Sequence, residues 1–144
     1  MINVLLVDDH ASIRKALRTF LETTQDINLL AEAPSGAEAL LQAERQCPDV
    51  AVVDISMPQM DGIETARLLR QLCPSICVMM LSIYDHPEYV QRALEVGAVG
   101  YVLKETIAQD FLTSIRTIAG GSKYFSEKIS GVAEHYLHQR RTDS

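Results

Sequence analysis

"DVAVVDISMPQMDG" (49–62) begins as a buried strand and ends as a loop. Val50 to Val53 are apolar without alternation, which suits a strand covered on both faces, as in a parallel sheet. The run then delivers one carboxylate, Asp54, and breaks at Met57-Pro58 and Asp61-Gly62, both turn signals. An acid at the last position of a hydrophobic strand calls for a reason. That reason lies in what else the chain brings to the same edge.

Four similar runs flank this one: "NVLLVD" (3–8), "INLLAE" (27–32), "ICVMMLS" (76–82) and "GYVLK" (100–104). Helical periods separate them. Ile13, Ala16, Leu17, Phe20 and Leu21 form an i, i+3, i+4 stripe, with Arg14, Lys15 and Arg18 expected on the wet side. "SGAE" (35–38) reads as a capping box opening a helix to about Gln46. A third helix starts near Ile63 and stops before Cys73-Pro74. In the fourth, Asp85 or His86 caps, Pro87 fits the first turn and Gly97 ends it. "TIAQ" (106–109) reads as a second capping box; Ile107, Phe111, Ile115 and Ile118 follow at helical spacing, up to Gly120-Gly121. Five βα units with short connections and right-handed crossovers give an α/β fold, a doubly wound five-stranded parallel sheet. Such sheets bind ligands outside the carboxyl ends of their strands.

The chain has 144 residues, the size of one ordinary domain. Thirteen basic and 19 acidic residues give a formal net charge of −6, which disfavours broad binding to nucleic acid or membranes. The amino terminus, "MINVLLVDDH", has no basic lead, and its apolar stretch is too short for a signal core or a membrane span. A cytoplasmic location is the expectation. Cys47, Cys73 and Cys77 form no CxxC pair and leave an odd count; they are expected as reduced packing residues.

Strand one ends in Asp8-Asp9, strand three in Asp54, strand four in Ser82 and strand five in Lys104. Parallel strands present these ends to one edge, so the residues converge although they are distant in sequence. Three carboxylates in one cleft repel one another. A hard dication removes the conflict, and magnesium takes oxygen ligands while keeping waters or phosphate oxygens. Lys104 adds a cation suited to a phosphoryl group, and Ser82 a neutral donor. Carboxylate nucleophile, magnesium, ammonium and hydroxyl are the parts needed to form an aspartyl phosphate. Taken singly, an Asp at a strand end, such as Asp9 or Asp54, is usually a helix cap, and Lys104 is more often a solvated side chain. Capping does not call for adjacent acids plus a lysine two βα units away.

"LLVDDH", "VVDISMPQMDGIE", "MLSIYD" and "AVGYVLKE" resemble the receiver domain of two-component response regulators, over residues 2 to about 120. The resemblance implies a flavodoxin/CheY-like (βα)5 fold with strand order 2-1-3-4-5. It implies that Asp54 accepts a phosphoryl group from a phosphohistidine on a sensor histidine kinase or phosphotransfer protein. Magnesium would be bound by Asp9, Asp54 and the backbone carbonyl of Ser56, with Asp8 acting mainly through water, and Lys104 would pair with phosphoryl oxygens. Ser82 and Tyr101 would form a switch, the hydroxyl moving to the phosphoryl group and the aromatic turning inward; taken alone, Tyr101 is a packing residue. The output surface would be the fourth helix, fifth strand and fifth helix. The chain would be no enzyme beyond catalysing its own phosphorylation and slow dephosphorylation.

"DDH", "GYVLKE" and "AGGSKYFSEKI" (119–129) are similar to the NarL/FixJ (LuxR-type) regulators, in which a linker leads to a DNA-binding helix-turn-helix domain. Residues 1–121 are then the receiver, and 122–144 a linker or helical tail leading to a DNA-binding domain absent from this chain. DNA would be a partner only through that domain, a homodimer formed on phosphorylation would be another, and no membrane is implied. A receiver acting alone, relaying phosphate or binding a partner protein, is the alternative. A phosphohydrolase of the haloacid dehalogenase type is a third class, but "DDHAS" (8–12) lacks its D-x-D-x-T. Many receivers have proline after the lysine, joined through a cis bond; here Glu105 follows, and the isomer of that bond stays open.

Overall fold

A computed structural model describes residues 1–143; of the tail expected at 122–144, Ser144 lies outside the described residues. The strands are β1 (Ile2–Val7), β2 (Ile27–Ala33), β3 (Val50–Asp54), β4 (Cys77–Ser82), β5 (Gly100–Leu103) and β6 (Tyr124–Phe125). The helices are α1 (Ala11–Glu22), α2 (Gly36–Arg45), α3 (Gly62–Leu72), α4 (Pro87–Glu95), α5 (Ile107–Ala119) and α6 (Glu127–Asp143), with a 3-10 turn at Lys104–Thr106.

All strand pairs are parallel, in the order β2-β1-β3-β4-β5-β6. The sheet has six strands rather than the five expected, because the chain turns back after α5 and lays Tyr124 and Phe125 beside Gly100 and Tyr101. The first five strands of the chain keep the expected order.

Alternation along the strands divides the core in two. Leu5, Val7, Ala51, Val53, Val78, Met80, Tyr101 and Leu103 face α2, α3, α4 and α6; Val4, Leu6, Val50, Val52, Met79, Leu81 and Val102 face α1 and α5. Every residue of β3, β5 and, after Cys77, β4 is buried, which is why those stretches read as unbroken apolar runs.

The helix ends follow local chemistry in part: His10 and His86 hold the N-cap positions of α1 and α4, but neither side chain makes a cap bond. Ser35 Oγ accepts from the Glu38 amide at 3.2 Å, and Asp61 Oδ1 from the Glu64 amide at 2.9 Å. Gly97, at φ +92°, closes α4. Thr106 does not cap α5: its hydroxyl donates forward to Asp110 Oδ2 at 2.7 Å, because the 3-10 turn occupies the capping position. Arg14 is not on the wet side of α1; it donates to the Asp8 carbonyl and pairs with Glu32 at 3.3 Å.

Cys47 and Cys73 are joined in a disulfide, not reduced as expected. The bridge ties the residue capping the end of α3 to the segment just after α2, with Cα atoms 5.9 Å apart. Cys77 is free. The described residues contain no cis peptide bond, so Lys104–Glu105 is trans.

Candidate functional site

Register along the sheet assembles the site. Val7 lies opposite Val53, so Asp8 emerges beside Asp54; Asp54 lies opposite Leu81, placing Ser82 one residue further on; Ser82 lies opposite Leu103, the residue before Lys104. The loop after β3 is held close by Gly62. A Cβ there would stand 2.1 Å from the Asp54 carbonyl oxygen, so glycine alone allows α3 to start against the end of β3. The Gly62 amide donates to the Ile55 carbonyl at 2.8 Å and fixes that approach.

Asp8 and Asp54 are 1% and 2% exposed, unusual for acids, and the side chain of Asp9 is 27% exposed. Carboxylate oxygens of all three, with a ring nitrogen of His10, lie within 4.8 Å of one another. Lys104 Nζ stands 3.5 Å from Asp8 Oδ2 and 3.3 Å from Asp54 Oδ1. One ammonium serves two buried carboxylates. Asp8 Oδ2, Asp9 Oδ1 and Asp54 Oδ2 are buried oxygens that accept no hydrogen bond. Burial first, and the neighbouring Asp8 charge second, push the Asp54 carboxyl up to about 6, with Lys104 opposing both. Three clustered carboxylates with one lysine among them, each carboxylate having a buried oxygen that lacks a hydrogen bond, fit a hard dication.

The other half of the site is neutral. The Ser82 hydroxyl accepts from the Tyr84 amide at 2.9 Å, and the Tyr101 hydroxyl donates to the Tyr84 carbonyl at 2.7 Å. Tyr84 is thus gripped on both sides by the two expected switch residues. Tyr101 is 1% exposed, its ring turned into the core, and burial pushes its hydroxyl up to about 12. The Ser56 amide donates to Asp54 Oδ1 at 3.3 Å, which places that residue at the cleft.

Residues 4–116 match the family described as the response regulator receiver domain. The chain belongs to that family. Among similar receivers, it is 33% identical over 129 residues to the transcriptional regulatory protein DegU of Brevibacillus brevis, covering 90% of this chain and 55% of that one. It is 35% identical over 128 residues to the response regulator protein VraR of Staphylococcus aureus, covering 89% and 61%. The chain therefore spans little more than half the length of these curated relatives. A two-component response regulator of the LuxR family from Aurantimonas superposes with a TM-score of 0.88 at 27% identity, covering 96% of this chain and 99% of that one. The receiver domain of the putative response regulator NarL from Mycobacterium tuberculosis gives 0.78 at 32% identity, covering 83% and 97%. These likenesses support a receiver of the NarL/FixJ type.

The structure brings Asp8, Asp9, Asp54, Ser82 and Lys104 of this receiver to one sheet edge, with Ser56 and Tyr101 adjoining. His10 occupies the N-cap position of α1 without a side-chain cap bond, and its Nδ1 lies 3.1 Å from Asp8 Oδ1 and 3.2 Å from Asp9 Oδ1. The signal was its place directly after two acids at a strand end. Tyr84 was missed because it acts through its backbone, which no side-chain pattern reveals.

Proposed function

We propose that this receiver is the phospho-accepting switch of a two-component system, with Asp54 as acceptor. The observation that carries this reading is the set of buried carboxylate oxygens without donors, gathered around a shared lysine. A carboxylate oxygen of Asp54 attacks the phosphorus of a phosphohistidine on a sensor histidine kinase or phosphotransfer protein. The P–O bond forms, the P–N bond breaks, and the imidazole leaves with the electron pair. Asp8, Asp9, Asp54 and the Ser56 carbonyl would hold magnesium, which supplies charge neutralisation for the phosphoryl oxygens.

Lys104 is held at present by two carboxylates, and a phosphoryl group on Asp54 offers its ammonium better-charged acceptors. Ser82 supplies a hydroxyl at the neighbouring strand end, and its partner Tyr84 links that hydroxyl to Tyr101. The chain acts only on itself, taking up the phosphoryl group and slowly losing it to water. The names of the regulators it resembles support transcription control as the output; a DNA-binding domain beyond the receiver and a homodimer formed on phosphorylation are part of the same proposal. Membership of the receiver family supports a cytoplasmic location. Among the described residues no helix is long and apolar enough to cross a membrane.

Incubation with acetyl phosphate and magnesium, read by intact mass, tests the reading. Wild type gains one phosphoryl group and Asp54→Asn gains none while keeping its circular dichroism spectrum. Labelling of the variant at the wild-type rate refutes the assignment.

A further inference from the structure

The carboxyl-terminal segment is fastened to the strand that carries the switch. The Tyr124 amide donates to the Val99 carbonyl at 3.0 Å and the Ser126 amide to the Tyr101 carbonyl at 3.0 Å, while Ser126 Oγ accepts from the Leu103 amide at 2.9 Å. Asp110 secures the same segment, accepting from the Tyr124 hydroxyl at 2.6 Å and the Ser126 hydroxyl at 3.0 Å. Beyond it, α6 lies on α4: Ile129 and Ala133 are 1% and 0% exposed and belong to the buried cluster that holds Val90, Ala93, Leu94 and Tyr101. Finally, Lys128 Nζ reaches Asp85 at 3.1 Å and Glu105 at 3.4 Å, joining the loop after Ser82 to the residue after Lys104.

Without β6, Tyr101 would sit on the edge strand of the sheet. Phe125 pairs with Tyr101 at that edge, and Ile129 and Ala133 belong to the same buried cluster as the ring. An inward Tyr101 holds the Tyr84 carbonyl, and the Tyr84 amide holds Ser82. Strap, tyrosine and hydroxyl therefore form one contiguous chain of contacts.

We propose that residues 124–143 are a regulatory strap whose docking on β5 and α4 keeps Tyr101 inward and Ser82 positioned, so that strap docking and occupancy of Asp54 favour one another. The proposal rests on the reading of Asp54 as phosphoryl acceptor. The sign rests on the premise that the arrangement in which Tyr101 grips Tyr84 and Ser82 stands at the strand end next to Asp54 is the one that receives the phosphoryl group. Coupling free energy is reciprocal, so each event strengthens the other by the same factor.

The test uses magnesium with beryllofluoride as the phosphoryl mimic, on wild type, Lys128→Ala and Ile129→Asp. Hydrogen exchange reports strap docking. Ile129→Asp, which loosens the strap, should weaken beryllofluoride binding by about fivefold or more. Lys128→Ala, at an exposed position with no packing to lose, should weaken it less. In wild type, adding the mimic should slow exchange at the Ser126 amide and along α6. A loosened strap with unchanged or tighter binding, or faster exchange on adding the mimic, overturns the proposal. If wild type binds no mimic at all, the acceptor reading fails. The strap is then judged by the Tyr101 ring, whose solvent accessibility by photo-CIDNP must rise in Ile129→Asp for the proposal to stand.

Discussion

Asp54 is an acid in a place that penalises its charge, and the penalty is measurable. Burial, with the Asp8 charge beside it, raises its carboxyl from 3.8 to about 6, against the pull of Lys104. The folded chain therefore binds this proton more tightly than the unfolded chain. Stability from this group is fully present below about pH 4 and is lost as pH rises through about 6. Above that, without metal, the buried charge costs on the order of 3 kcal/mol. Asp54→Asn removes it and leaves Lys104 its other partner, Asp8, at 3.5 Å. In chelator at pH 7.5 the variant should unfold at higher urea than wild type, and the difference should vanish near pH 4. Magnesium should then raise the wild-type midpoint more than the variant's. A variant no more stable than wild type at pH 7.5 would mean that Asp54 is not held at a cost.

Elements meet at this site through close approach, and one glycine shows how close. Position 62 has no room beside the Asp54 carbonyl oxygen, so Gly62→Ala must push the start of α3 off the end of β3. The obstruction is backbone and cannot swing aside; the expected loss is about 3 kcal/mol in denaturant unfolding, with weaker magnesium binding. Gly131, inside α6, has nothing within 4 Å of the same added atom. There the same change should stabilise, by up to about 1 kcal/mol, through helix propensity alone. Equal effects of the two substitutions would undo this account. The central strands and the strand-end acids were legible because burial on both faces leaves an apolar run, and each run advertises its polar last residue. β6 was not, since Tyr124 and Phe125 are too few to show a period and owe their pairing to Ser126 and Asp110. Arg14 was misplaced because helical spacing cannot see the Asp8 carbonyl above the helix end.

Across the whole molecule, chemistry and covalent bracing sit at opposite poles. Strands point their carboxyl ends at the acids, so the helices that return from that edge end at the far side, and there Cys47 and Cys73 join the ends of α2 and α3. Counting cysteines could not reveal this pairing, because it depends on which helices become neighbours after the sheet is wound. The bridge spans 26 residues of sequence, and a loop of that size restrains the unfolded chain by about 3 kcal/mol. Cys47→Ser, or reduction with a dithiol, should lower unfolding stability by about that amount. Labelling of Asp54 by acetyl phosphate should persist under native conditions, because no contact of the acidic cluster passes through either cysteine. Comparing urea midpoints with and without reductant, alongside intact-mass labelling of the same samples, separates the two effects. Loss of labelling in a reduced chain that is still folded would show that the far pole does govern the site, and that α3 transmits strain along its length from Cys73 to Gly62.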